Sequence, residues 1–331
     1  MLVEVPAGDL HRIVFVPRDG KGAIRTVTTL TKPPWYLDSA KDGTLYLDQA
    51  DRPHEILRLP VNGGQPEVLG SSDTYVPAGQ YMDPVENSDG RFLLDTEFSG
   101  RGRLLIGKPG QDFAPLLDTN DETSSAATSL GHGEVAFALG SGTGAMVVIA
   151  STTEGRVVRW LQGTKGHSIT SLAASPDSKT LYFGAAGFIW SIPADDGSPK
   201  KIAPGENAAV DLSRNDLVIT THVFSNPVLT RVPVTGGKPR DVHLANAQGL
   251  APVPNGSHAV NRQGKMLVTI SPSDSWFYRV AILDLTTGQI APIKLSYPGD
   301  TLSGNWASDG RIICVGLPPK SRVWRFRFES K

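Results

Sequence analysis

The sequence predicts an all-β fold built from repeated four-stranded antiparallel sheets, and three observations predict it. Turn-formers are dense, with 35 Gly and 25 Pro in 331 residues. One turn motif recurs along the chain. The stretch 166–202 has no helical periodicity and reads as short strands between turns.

The recurring turn is clearest in two copies. Arg58-Leu59-Pro60-Val61-Asn62-Gly63-Gly64-Gln65-Pro66 matches Arg231-Val232-Pro233-Val234-Thr235-Gly236-Gly237-Lys238-Pro239 nearly residue for residue. Ser191-Ile192-Pro193-Ala194-Asp195-Asp196-Gly197-Ser198-Pro199 keeps the same frame, and weaker copies end at Gly110, Gly155 and Gly288. Successive final glycines stand 40 to 51 residues apart. A period of about 40 to 45 belongs to a β-propeller blade, and the turn density excludes helical repeats of similar length. Asn-Gly, Gly-Gly and Asp-Gly accept the positive φ of a tight hairpin. The proline two residues later suits the start of an outer edge strand, whose N–H is spared from the ladder.

A second turn class, Asp42-Gly43, Asp89-Gly90, Asp177-Ser178 and Asp309-Gly310, falls earlier in each unit and precedes an apolar strand every time. Two hairpin classes in alternation make a meander. Residues 166–202 display one whole unit: Ile169–Ala173, the turn Ser175-Pro176-Asp177-Ser178, then Leu181-Tyr182-Phe183, Phe188-Ile189-Trp190 and Lys200-Lys201-Ile202.

Taken in order, residues 1–34 hold spare strands at Ile13–Val16 and Ile24–Thr29. Blades then run over about 35–69, 70–117, 118–162, 163–203, 204–244, 245–295 and 296–331. The last lacks an outer strand after Arg322–Phe328, so an N-terminal strand is expected to complete it and close the ring. The expectation is a single propeller domain over residues 1–331 with seven blades, six or eight being the alternatives.

These residues carry a resemblance. Gly166-His167, Ser175-Pro176-Asp177 and Trp190 resemble a WD-type blade, and Pro-Val-x-Gly-Gly-x-Pro is similar to the TolB-type, WD-like repeats of bacteria. The sequence departs from true WD repeats at Ser191, where Asp follows the tryptophan in that family, and Gly184–Gly187 lacks its structural Asp. The resemblance implies a bacterial sensor or docking module, often the C-terminal part of a larger signalling or envelope protein.

Charge and composition exclude other classes. With 32 basic and 33 acidic side chains, well mixed, nothing recruits nucleic acid or an anionic membrane through bulk charge. The longest apolar runs, such as Ala145–Ala150, have strand length, so no membrane insertion is expected. The N-terminus has neither a basic nor an apolar leader region, so the chain as given is expected to carry no signal peptide. Compartment, bacterial cytoplasm or periplasm, is left open. The lone Cys314 lies in an apolar run and reads as a small core residue.

No catalytic residue, metal or cofactor is assigned. The seven histidines show no ligand spacing, and Gly140–Gly144 has no helix after it to cradle a phosphate. Asp118, Asp121 and Glu122 lack the alternation and glycine of a calcium loop. There is no Gly-x-Ser-x-Gly elbow. A metal-dependent lactonase- or lyase-like enzyme, with ligands gathered one per blade at the channel mouth, is the alternative function.

The leading function is binding. Loops expected on one face carry Tyr75, Tyr81, Phe98, Arg101, Phe224, Trp276, Phe277, Tyr297 and Trp306. Aromatic and arginine side chains on loops are the residues that anchor interfaces. The expected partner is a protein, peptide or small ligand on that face, bound by a monomer without a cofactor.

Overall fold

The computed structural model describes residues 1–7, 10–31, 34, 36–51, 54–72, 84–87, 89–98, 101–111, 113–118, 123–223, 225–234, 237–246 and 249–326. Strands take 53% of the chain and helical turns 2%, so the fold is all-β as expected. The chain divides into two compact units, residues 1–53 with 319–331 and residues 54–318.

The first unit begins with β1 (Leu2–Ala7), β2 (Leu10–Phe15) and β3 (Arg25–Leu30), an antiparallel sheet in that order. β4 (Tyr36–Ser39) and β5 (Leu45–Asp51) follow. The second unit opens with β6 (His54–Leu59) and β7 (Glu67–Ser72). Four meanders come next: β8 (Val85–Glu86), β9 (Phe92–Phe98), β10 (Arg101–Gly107) and β11 (Ala114–Pro115); β12 (Thr123–Gly131), β13 (Glu134–Leu139), β14 (Met146–Ser151) and β15 (Arg156–Trp160); β16 (Ile169–Ala174), β17 (Thr180–Ala185), β18 (Phe188–Pro193) and β19 (Lys200–Pro204); β20 (Asn207–Asp211), β21 (Asp216–Thr221), β22 (Val228–Pro233) and β23 (Arg240–Asp241). β24 (Lys265–Ile270), β25 (Arg279–Asp284) and β26 (Ile290–Pro292) form a three-stranded sheet. Residues 250–260 run beside β24 through bridges at Leu250–Ile270 and Val260–Met266. β27 (Asp300–Trp306) and β28 (Ile312–Leu317) end the unit, and β29 (Lys320–Phe326) returns to the first unit to pair with β5.

The sequence-level closure is corrected by the pairing. β27 and β28 are completed by β6 and β7, in the order β27-β28-β6-β7, with Ile313 opposite Arg58 and Val315 opposite Ile56. Ile24–Thr29, the expected closing segment, lies almost wholly in β3 and pairs with β2. Tyr36–Ser39, Leu45–Asp51 and Lys320–Phe326, assigned above to the first and last blades, form the separate sheet β29-β5-β4. The two ends of the expected repeat therefore merge into one sheet, leaving six antiparallel sheets in the second unit among the described residues. The physical reason is burial. Ile56, Leu57 and Leu59 are fully buried, so β6 needs apolar neighbours on both faces, whereas the threonine-rich β3 is half exposed.

Apolar clusters join these six sheets in a closed circuit. Ile56 and Leu69 pack with Phe92 and Leu94, and Leu93 and Leu104 with Phe137 and Val148. Ala136 and Ile149 pack with Leu181 and Phe183, and Tyr182 and Ile189 with Leu217 and Ile219. The largest cluster carries Val218 through Leu267 and Leu283 back to Leu57 and Cys314. Burial pushes the Cys314 thiol up, in keeping with a core role.

The turn chemistry holds as read. Gly43, Gly90, Ser178 and Gly310 all have φ between 58° and 82°. In each turn the preceding aspartate accepts the backbone N–H two residues on, at 2.9 to 3.2 Å, in an Asx turn. Asp211 with Ser213 and Asn261 with Gln263 make the same bond where the sequence reading saw no copy. Pro66, Pro199 and Pro239 immediately precede or sit one residue before β7, β19 and β23, the outer strands of their sheets. Gly63 has a further reason to be glycine: a Cβ there would lie 2.5 Å from the Lys294 carbonyl oxygen, because the turn docks on residues 294–296.

Candidate binding face

In each meander the loop before the innermost strand and the loop after the second strand lie at the same end of the sheet, because antiparallel strands alternate direction. On the second unit this face carries the loop between β24 and β25 and the loop entering β27. The first contains Trp276, fully exposed at 101% relative accessibility. Phe277 follows, held by the Ser275 hydroxyl, which accepts its N–H at 3.0 Å, and by the Arg279 guanidinium 5.3 Å from its ring centroid.

Arg279 is the brace of this loop. It donates to the carbonyl oxygens of Tyr278 at 3.2 Å, Tyr297 at 3.3 Å and Gly299. Burial lowers its pKa, opposed by Asp300. The Asp300 carboxylate accepts the Tyr278 N–H at 2.8 Å, which ties the two loops together. The aromatic pair thus stands on a hydrogen-bonded base.

The nine residues expected on the loop face are not one cluster. Tyr75, Tyr81 and Phe224 lie outside the described residues. Phe98 and Arg101 are backbone partners closing the β9–β10 hairpin, and their side chains also lie outside the described set. Tyr297 is buried at 7% and donates its hydroxyl to Glu55 at 2.9 Å; burial and that carboxylate push its pKa up. Trp306 sits at the opposite end of β27 from Asp300, half-buried against the core, donating its indole N–H to the Lys265 carbonyl at 3.1 Å. Of the nine, Trp276 remains as an exposed anchor among the described residues, with Phe277 part-buried beside it.

Polar side chains missed by sequence reasoning gather inside the circuit of sheets. His258 donates its backbone N–H to Asn305 Oδ1 at 2.7 Å, and its ring Nε2 lies 3.3 Å from Thr128 Oγ1 on β12, a sheet that is not its neighbour. Asn305 donates to the Pro84 carbonyl at 2.9 Å. Toward the loop face, Asn207 donates to the Asn255 carbonyl at 3.1 Å, and Asn255 donates to Thr220 Oγ1 at 2.9 Å. No repeat marks these positions, because each blade contributes a different polar residue. His167 does meet Trp190, with ring centroids 4.9 Å apart, but as an aromatic contact shared with Phe183.

His258 gives a pH prediction. Burial alone lowers its pKa from 6.5 to about 4. The unfolded chain therefore binds the extra proton between those values, and stability falls as pH drops through that window. The loss is expected to reach about 3 kcal/mol. Urea unfolding of the native chain at about pH 7 and about pH 4.5 measures it, with His258→Gln losing less. An equal loss in both proteins would assign the effect to other groups.

No known family model matches the chain, and no curated protein does. The similarity that exists is structural. TolB of Agrobacterium tumefaciens superposes with a TM-score of 0.58 at 16% identity, over 82% of this chain and 100% of that one. TolB of Acinetobacter baumannii gives 0.50 at 14% identity, over 87% of this chain and 81% of that one. The fold is therefore a TolB-like β-propeller, the propeller implied by the turn period and the TolB likeness by the turn motif.

Proposed function

We propose that this chain is a non-catalytic binding module that docks a protein or peptide partner through the loop between β24 and β25. The observation that carries the reading is Trp276, fully exposed beside Phe277 on a loop braced by Arg279 and Asp300. A large aromatic side chain left wholly in water gains nothing for folding, while a burial of this size is a typical interface anchor. The brace lowers the ordering cost of docking, because the loop is held before a partner arrives. Among the described residues, no helix is long and apolar enough to cross a membrane.

The test selects displayed peptides on the native chain and measures the best binder by fluorescence anisotropy. Trp276→Ala is expected to weaken binding by about 2 kcal/mol, roughly thirty-fold, with an unchanged melting temperature. EDTA should change nothing. Binding that survives Trp276→Ala would remove the anchor from this role, and loss with EDTA alone would favour the metal-dependent enzyme.

A further inference from the structure

We propose that the cleft of the first unit is a second site, which takes an extended peptide carrying an acidic residue and adds it as a strand against β3 and β4. The cleft has a volume of about 710 Å³. One wall is the start of β3, with Arg25 and Val27, and the other is β4, with Leu37 and Asp38. Met1, Leu2, Phe15 and Leu45 complete its apolar lining.

The two walls are strand edges. β3 pairs with β2 alone and β4 with β5 alone among the described residues, and the two are not bonded to each other. Consecutive residues of both edge strands, Arg25 to Val27 and Leu37 to Ser39, line the cleft, and an unpaired edge is the pattern that recruits an added strand. Edges of this kind are usually blunted by Lys or Pro. Arg-Thr-Val-Thr-Thr-Leu and Tyr-Leu-Asp-Ser contain neither.

A volume of this size also suits a small molecule. Small-molecule sites, however, rely on a few convergent side chains, whereas this cleft is also bordered by two strands that each leave an edge unpaired among the described residues. An extended peptide pairs with such an edge and directs alternate side chains onto the apolar lining. Phe15, 39% exposed and part of that lining, gives apolar surface for those side chains to cover.

Charge fixes the remaining feature. Asp38 is already engaged, its Oδ1 accepting the Ser39 N–H at 2.8 Å. Arg25 borders the same cleft, exposed, and its guanidinium has no partner among the described residues. A carboxylate on the incoming strand is its complement.

The probe is a fluorescein-labelled peptide of alternating valine and threonine with one central glutamate, titrated into the full chain by anisotropy. Saturable binding is expected. N-methylation of alternate amides should weaken it at least about tenfold, because it removes the ladder donors. Arg25→Glu should weaken it about five-fold and favour the lysine version of the peptide. Val27→Asp, a second variant on the same wall, should also weaken it, each variant being checked by its melting curve. Trp276→Ala should leave this binding unchanged, so the two sites fail separately. Absence of binding, or binding indifferent to N-methylation and to Arg25→Glu, overturns the proposal. So does a dimer of the native chain that Arg25→Glu dissolves, because the occupant would then be a second copy.

Discussion

Leu57→Ala is expected to destabilise the second unit by about 2 to 5 kcal/mol. Leu57 is fully buried on β6, opposite Cys314 on β28, and belongs to the cluster that also holds Leu267, Leu283 and Ile312. Its side chain packs against Gly316, where an added Cβ would meet Leu57 Cδ1 at 2.5 Å, so surrounding backbone leaves little room to collapse into the cavity. At about 2 to 4 °C per kcal/mol for a unit of this size, the melting temperature should fall by roughly 4 to 20 °C. The control is Thr26→Ala on β3, exposed and outside the closing sheet, where a change within about 0.5 kcal/mol is expected. A larger effect at Thr26 than at Leu57 would return the closure to the N-terminal strand.

That contrast explains what the sequence did and did not disclose. The meander, the period and both turn classes were legible because they are local: Asp177 caps its own turn through Lys179, and Gly197 takes a φ of 146° within its own hairpin. Which strand completes the sheet of β27 and β28 was not local. His54–Leu59 and Ile312–Leu317 are over two hundred residues apart, and adjacency along the chain put His54–Leu59 in the first blade and left an N-terminal strand to complete the last. A clue was present in the density of Ile56, Leu57 and Leu59 against the three threonines of Arg25–Leu30. The candidate site was legible to a smaller degree. Residue type singled out Trp276, but it equally singled out Tyr297, which the fold buries in the core, and Trp306, which it packs half-buried against it. Exposure of an aromatic is decided by packing around it, and Arg279, Asp300, His258 and Asn207 carry no periodic signal at all.

The repeated arginine of the turn motif supplies the second large effect. Arg58 and Arg231 occupy the same motif position, yet their partners differ in burial. Arg58 pairs with Glu67 at 2.9 Å, and that glutamate side chain is 59% exposed. Arg231 pairs with Asp211, whose side chain is fully buried and also accepts the Ser213 N–H at 2.9 Å and hydroxyl at 2.6 Å. Its guanidinium reaches the Leu285 carbonyl as well, tying one sheet to the next. Arg231→Met is therefore expected to cost about 3 to 5 kcal/mol, because it strands a carboxylate away from water. Arg58→Met should cost about 1 kcal/mol or less, since Glu67 simply hydrates. Adding Asp211→Asn to Arg231→Met should recover part of the loss, the stranded charge having been removed. Urea unfolding of the four proteins measures all three differences. Equal costs at Arg58 and Arg231 would mean that burial of Asp211 does not govern the pair, and no recovery in the double variant would assign the loss to the packing of the arginine stem.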